Sequence, residues 1–163
     1  MTDPLLVLQV LVLLGVANGV PVVATKLCKK LLAAPLDGGL QFFDGRPLFG
    51  ASKSLRGIVA SIAITSLVAA ILGFDWSLGA ALAGLSMLGD LGSSFVKRRM
   101  GLEVHAQALG LDQIPEALLP LLVLRNSLGL SWGDVAFVVL AFVLLGHLLS
   151  RVLYKLGSRE QPY

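Results

Sequence analysis

Long apolar runs alternate with polar segments along the chain. Most of the runs approach the length of about 20 residues that a helix needs to cross a hydrocarbon core about 30 Å thick. They predict helices at residues 5–23, 57–74, 76–96, 113–130 and 133–153. The polar segments predict two loops, at about residues 25–56 and 97–111. The pattern therefore predicts an all-α, polytopic integral membrane protein with five transmembrane helices.

Composition supports a chain that works in the bilayer. Of the 163 residues, 56% are hydrophobic and 14% are charged, whereas soluble domains are about 25% charged. Five spans leave no room for a separate soluble domain, so residues 1–163 form a single membrane-embedded domain. Asp3 stands where a signal peptide would carry a basic residue, and we expect the first helix to be retained. We expect the bilayer as a partner and no nucleic acid.

The third predicted helix is unusually rich in small residues. They are Gly79, Ala80, Ala81, Ala83, Gly84, Ser86 and Gly89. Small residues let helices approach closely in lipid, so we expect this helix to be central. The same feature permits a homodimer without requiring one.

Basic residues predict the orientation of the chain. Twelve of the thirteen Lys and Arg residues lie in the loop at 25–56, at 97–99 or in the C-terminal tail. The exception, Arg125, lies within the fourth helix. Because cytoplasmic segments carry the excess of Lys and Arg, we expect the N-terminus outside and the C-terminus in the cytoplasm.

The segment GDLGSSFVKRR, residues 89–99, continues the third helix. On a helix, Asp90, Ser94 and Lys97 lie on one face. An ionisable residue inside a membrane helix costs about 2.5–3.5 kcal/mol and is a functional hypothesis by default. Two alternatives remain open: an Asp90–Lys97 ion pair that only holds helices together, and a basic cluster at 97–99 that only determines topology.

A second acid lies at the start of the fourth helix. Asp112 is in the N-cap position, and Pro115 is tolerated in a first turn. Asp90 and Asp112 bracket one loop, so both are expected at similar depth, where their oxygens could share one hard cation. The alternative is that Asp112 is only a cap, which would leave Glu116 as the nearest partner for Asp90.

A glycine-rich segment with acids and bases precedes the second helix. In DGGLQFFDGRPLFGASKSLRG, Lys53 and Arg56 are three residues apart, which predicts that they share a helical face beside acids such as Asp44. Fixed cations beside fixed anions suggest a metal-bound polyphosphate. Neither a P-loop nor a dinucleotide-binding glycine motif is present. The alternative is a re-entrant loop with basic headgroup anchors.

Together these segments resemble a known family. GDLGSSFVKRRMG followed by LDQIP resembles the signature of the integral-membrane CTP-dependent cytidylyltransferases of the phosphatidate cytidylyltransferase superfamily. The segment DGRPLFGASKSLRG, residues 44–57, and the LDQIP ending are similar to the archaeal branch, the CDP-archaeol synthases. The resemblance covers about residues 37–115. The bacterial relatives have a second aspartate where this chain has Pro115.

The resemblance implies a reaction and a set of site residues. The reaction transfers the cytidylyl group of CTP to an isoprenoid glycerol-phosphate lipid, 2,3-bis-O-geranylgeranylglycerol 1-phosphate, and gives CDP-archaeol and pyrophosphate with Mg²⁺ as cofactor. It implies that Asp90 and Asp112 are metal ligands and act in catalysis together with Lys97. The implied nucleotide- and phosphate-binding residues are Lys53, Arg56, Ser94, Lys97, Arg98 and Asp44.

Two other functions remain open at this stage. A CTP-dependent polyprenol or phytol kinase shares the superfamily but would transfer the γ-phosphoryl group. A small lipid transporter would use Asp90 and Arg125 as charges along a pathway. The outer halves of the predicted helices carry few polar residues, which counts against the transporter.

The predicted orientation can be tested by cysteine labelling. We expect a membrane-impermeant thiol reagent to label Asp75→Cys and Gly133→Cys in sealed cells, because both positions lie in outer connections. Arg46→Cys should react only after permeabilisation. Labelling of Arg46→Cys in sealed cells would overturn the orientation.

Overall fold

The computed structural model describes residues 3–27, 34–102 and 110–155, and these residues form five α-helices. The helices are α1 Pro4–Leu27, α2 Leu55–Ile71, α3 Trp76–Arg99, α4 Gln113–Leu128 and α5 Trp132–Lys155. Each helix begins and ends within four residues of its predicted bounds. The described residues contain only two isolated β-bridges, both in the loop between α1 and α2. The all-α prediction is confirmed.

Three of the helices are long and apolar enough to cross a bilayer. These segments are Pro4–Thr25, Trp76–Arg99 and Trp132–Leu149, while α2 is a shorter apolar helix. Each of the five helices has large hydrophobic side chains on the outside of the bundle, as a surface in contact with acyl chains requires. Lys29, Lys30 and Arg159, which support the predicted orientation, lie outside the described residues.

The helices form a closed bundle with α3 at its centre. Helix α3 packs against α1, α2 and α4, and α5 closes the bundle by packing against both α4 and α1. The core between them is apolar and fully buried; its largest members are Leu13, Leu14, Leu82, Leu121 and Val138. The predicted central position of the small-residue helix is thus confirmed.

Two glycines explain why α3 can have so many neighbours. A Cβ atom at Gly79 would lie 2.9 Å from the carbonyl oxygen of Thr65 on α2. At Gly89 it would lie 2.6 Å from the carbonyl carbon of Pro115 and 2.9 Å from the nitrogen of Glu116. Real side chains do not approach backbone so closely, so only glycine permits these two contacts. Both glycines face neighbours within the chain.

Polar side chains inside the bundle add specific contacts between helices. Asn18 of α1 donates to the hydroxyl of Ser86 on α3 at 2.9 Å. The buried Ser61 of α2 donates to the carbonyl of Ala17 on α1 at 2.7 Å. Hydrogen bonds of this kind between membrane helices contribute about 0.6–2 kcal/mol each. They set the register of α1 against α2 and α3.

The turns that precede α3 and α5 are closed by local hydrogen bonds. Asp75 caps α3 by accepting from the backbone of Ser77 at 2.7 Å. Before α5, the carboxylate of Asp134 accepts from the backbone of Ser131 at 2.9 Å, and the Ser131 hydroxyl accepts from the backbone of Asp134 at 3.2 Å. This reciprocal pair is a capping box. Only three residues separate α4 from α5.

The close contact at Gly89 predicts that alanine substitutions at two glycines of α3 change the unfolding temperature differently. Gly89→Ala should lower the unfolding temperature in detergent, because the added methyl group meets the α4 backbone. Gly84→Ala is the matched control: no atom lies within 4 Å of its Cβ position. Alanine is the better helix former by about 1 kcal/mol, so Gly84→Ala should be neutral or stabilising. Equal unfolding temperatures for the two variants would contradict the close approach.

Candidate active site

A lysine and a carboxylate from two different elements meet at the centre of the polar end of the bundle. Lys53 precedes α2, and its Nζ donates to both carboxylate oxygens of Asp90 on α3, at 2.5 and 2.6 Å. Both side chains are largely buried. The prediction that Lys53 and Arg56 share a helical face is wrong, because Ser54 is the N-cap of α2 and Lys53 is still in the loop. The loop conformation, rather than helical spacing, aims Lys53 at α3.

A second ion pair joins α3 to the start of α4. Nζ of Lys97 lies 2.7 Å from Oδ1 of Asp112, and both side chains are mostly buried. Asp112 is in the N-cap position, as predicted, but its carboxylate makes no capping hydrogen bond. The carboxylate contacts Lys97 instead. The alternatives of an Asp90–Lys97 pair and of Asp112 as a pure cap therefore do not describe this structure.

Glu116 lies beside Asp90 and adds a third acid to this group. Its carboxyl group interacts with that of Asp90, and also with Lys53 and Asp112. The contact exists because Gly89 lets α3 approach the first turn of α4. We call Lys53, Asp90, Lys97, Asp112 and Glu116 the charged cluster.

Three further residues predicted for the site lie on α3 and in the first turn of α2. Ser94 and Arg98 are buried on α3, and Arg56 is half-buried in the first turn of α2. Arg98 is close enough to Asp112 for an electrostatic interaction. The end of α3 thus concentrates both signs of charge in a small volume, which suits a ligand that carries phosphates and a cation.

Asp44 has a different neighbour. Its Oδ1 accepts from Nη1 of Arg99 at 2.9 Å, and Arg99 also donates to the carbonyl of Pro47 at 2.6 Å. The Arg99 guanidinium lies 4.9 Å from the ring centroids of Phe42 and of Phe95. These contacts fasten the α1–α2 loop to the end of α3. The predicted nucleotide contact of Asp44 stays a prediction.

Arg46 reinforces the same attachment. Its Nη1 donates to the carbonyls of Arg98 and Arg99, at 3.2 and 2.5 Å. These carbonyls are at the C-terminal end of α3, where the helix dipole favours a cation. The attachment was not predicted, since no local pattern indicates which helix end a loop arginine will meet.

Asp37 organises the interior of the loop that carries Lys53. Its carboxylate accepts three backbone hydrogen bonds at 3.0 Å, from Gly39, Phe49 and Gly50. Burial raises the pKa of Asp37, but the hydrogen bonds from Gly50, Phe49 and Gly39 together outweigh it, so the pKa lies below its usual value. Asp37 is therefore ionised at neutral pH. The acid followed by two glycines is typical of such a turn, a signal available in the sequence.

Arg125 lies at the far end of α4 from Glu116. It donates to the carbonyl of Leu130 at 3.2 Å and stacks over the ring of Trp132 at 4.5 Å. These contacts anchor the turn between α4 and α5. The transporter hypothesis, which makes Arg125 a charge along a pathway, gains no support from them.

The donor chemistry of the charged cluster fits Mg²⁺, which prefers carboxylate oxygens. Asp90, Asp112 and Glu116 supply such oxygens. Among the described residues, however, no three acidic, histidine or cysteine side chains are arranged as a ready ligand set. Lys53 and Lys97 currently neutralise two of the acids.

Comparison with known proteins identifies relatives along nearly the whole chain. The family model described as CarS-like CDP-archaeol synthase matches residues 7–163. A CDP-archaeol synthase of Sulfurisphaera tokodaii is 36% identical over 138 residues, which cover 79% of this chain and 81% of that relative. A CDP-archaeol synthase of Aeropyrum pernix is 35% identical over 156 residues, which cover 91% of this chain and 86% of that relative.

One solved structure has the same architecture. It is described as an intramembrane enzyme for archaeal membrane lipid biosynthesis, and it aligns with a TM-score of 0.70 at 32% identity. The alignment covers 88% of this chain and 91% of that chain. The range matched by the family model includes the charged cluster, and this chain belongs to the CarS-like family of CDP-archaeol synthases.

Proposed function

We propose that the charged cluster is the site at which this chain transfers the cytidylyl group of CTP to an isoprenoid glycerol-phosphate lipid. As a member of its family the chain is a CTP-dependent cytidylyltransferase that makes CDP-archaeol. The observation that carries the proposal is the meeting of two lysines and three acids from the α1–α2 loop, α3 and α4.

The substrates need charge neutralisation more than an activated side chain. The lipid phosphate is already an anion, so its oxygen can attack the α-phosphorus of CTP without a histidine or cysteine to remove a proton. A bond forms between this oxygen and the α-phosphorus, and the bond to the β-phosphate oxygen breaks. The pair of electrons leaves with pyrophosphate. The protein must bring two anions together and stabilise the charge on the leaving oxygen.

We assign the basic residues to phosphate binding. Lys53, Arg56, Lys97 and Arg98 would bind the phosphates, and the Ser94 hydroxyl would donate a hydrogen bond. Lys53 and Lys97 hold carboxylates in this structure, so they are already desolvated and close to the proposed phosphate position. Exchange of a carboxylate for a phosphate oxygen keeps each ammonium group paired.

Asp90 and Asp112 would hold Mg²⁺, with Glu116 next to them as an additional oxygen donor. When bound, the metal would neutralise charge on the triphosphate and polarise its phosphoryl oxygens. Magnesium is the ion that we propose on the grounds of this oxygen-rich donor set.

The proposal includes five membrane crossings and a site that faces the cytoplasm. The excess of basic residues at the end of α3 and in the α1–α2 loop supports this orientation. It would let CTP enter from the cytoplasm and the lipid from the bilayer. The homodimer stays a prediction. Gly79 and Gly89 contact helices of the same chain, so they do not provide a surface for a second copy.

The products distinguish cytidylyl transfer from the kinase alternative. Incubation of the purified protein with labelled CTP, Mg²⁺ and the geranylgeranyl glycerol phosphate should release pyrophosphate and place the cytidine label in the lipid. A kinase would release CDP and leave the lipid free of cytidine. Release of CDP would therefore contradict the proposed reaction.

Removal of either proposed metal ligand should abolish turnover. Asp90→Asn and Asp112→Asn should each lower kcat by several orders of magnitude, because the reaction loses a charge that the metal needs. The double variant should be little worse than either one, since residues that act as a unit are non-additive. The measurement is Mg²⁺-dependent turnover in protein that keeps its unfolding temperature within a few degrees.

Asp75→Asn is the matched control for these variants. Asp75 is also an aspartate at a helix start, but it makes a real capping hydrogen bond and lies at the other end of α3. Asparagine caps about as well as aspartate, so this variant should keep full activity. An active, Mg²⁺-dependent Asp112→Asn enzyme would remove Asp112 from the site.

A further inference from the structure

The carboxylate of Asp37 joins two parts of the α1–α2 loop that are distant in sequence. Asp37 is 6% exposed. Its Oδ1 accepts from the backbone of Gly39, and its Oδ2 accepts from Phe49 and Gly50, twelve and thirteen residues away. Both oxygens are thus used for backbone N–H groups.

The same network continues directly to Lys53. The backbone N–H of Lys53 donates to the carbonyl of Gly50 at 3.2 Å, and the carbonyl of Lys53 accepts from Leu36 at 2.7 Å. Leu36 immediately precedes Asp37, so the hydrogen bonds form a closed ring from Asp37 through Gly50 and Lys53 back to Leu36. The backbone of Lys53 is therefore held on both sides.

Backbone placement matters for Lys53 because its side chain is long and flexible. A lysine ammonium on a four-carbon stem retains little orientation of its own. The contact between Lys53 and Asp90 therefore depends on where the loop places the Cα atom of Lys53. Gly50, whose backbone N–H donates to Asp37, has φ +96°, a conformation that favours glycine.

We propose that Asp37 is a positioning residue that aims Lys53 at the substrate phosphates through this ring of backbone hydrogen bonds. The inference rests on the proposed function of Lys53 as a phosphate ligand. Asp37 itself touches neither substrate. It acts by limiting the positions that the Lys53 backbone can adopt.

Asp37→Asn tests the proposal with little change in size. Asparagine has one carbonyl oxygen, so it can accept on only one side of the ring, and its NH₂ group faces the remaining N–H donors. We expect kcat/KM for CTP to fall by about ten- to a hundred-fold, the scale of a misplacement of about 1 Å. Asp75→Asn, which alters an aspartate that caps α3 at its other end, should leave kcat/KM unchanged.

A double-mutant cycle with Lys53→Met separates positioning from a general loss of structure. Lys53 is one of four proposed phosphate ligands, so Lys53→Met should keep a measurable rate. If Asp37 acts through Lys53, adding Asp37→Asn to Lys53→Met should cause no further loss of kcat/KM. If Asp37→Asn does not fold, the same cycle with Asp37→Glu, which keeps the charge but shifts the oxygens, gives the decision.

Two results would overturn the inference. The first is an unchanged kcat/KM in the folded Asp37 variant. The second is a loss in the double variant that equals the product of the single losses, because the two residues would then act independently. Full activity of Lys53→Met alone would instead overturn the proposed role of Lys53, which keeps the two failures distinguishable.

Discussion

A buried ammonium or carboxylate group is stable in an apolar bundle only beside an opposite charge, because desolvation costs several kcal/mol per ion. In this protein α3 brings Asp90 and Lys97 into the bundle, and each is paired by a residue from another element. Lys53 from the α1–α2 loop reaches Asp90, and Asp112 from the start of α4 reaches Lys97. These two pairs decide where the loop and α4 can lie.

The packing of the helices makes this arrangement possible. Gly89 has no side chain to separate α3 from the first turn of α4, so Glu116 can lie beside Asp90. At the other end of α3, Gly79 admits the backbone of α2. One helix can therefore contact three neighbours while it carries the charges that the site requires.

The structural ion pairs also suit the proposed chemistry. Lys53 and Lys97, which would bind phosphates, are each paired with a carboxylate that would bind a metal. The charges of these pairs are therefore balanced before either ligand binds. A metal-bound triphosphate presents the same two signs of charge and could replace these contacts pairwise. The Arg99 contacts and the Asp37 hydrogen bonds support the loop from two sides and do not depend on this exchange.

Sequence spacing predicts which residues share a face of one helix, but it does not predict contacts between different elements. Asp90 and Lys97 were assigned to α3 correctly, since a helix has one dominant period. Lys53 and Arg56 were assigned to one face wrongly, because α2 begins at Leu55. From the sequence, Glu116 is only an alternative partner for Asp90, and Arg99 is only one member of a basic cluster. Their roles depend on contacts between elements that are distant in sequence.

The five helices, their bounds to within a few residues, the central place of the small-residue helix and the family could all be predicted from the sequence. Apolar length, small residues and short motifs are local properties, and they are read without knowing which elements meet. Three contacts could be seen only in the folded chain: Lys53 pairs with Asp90, and Asp112 pairs with Lys97 instead of capping α4. Asp37 supports the loop around Lys53. The physical reason is that charge pairing in a buried cluster depends on distances between side chains of different elements, which local sequence does not specify.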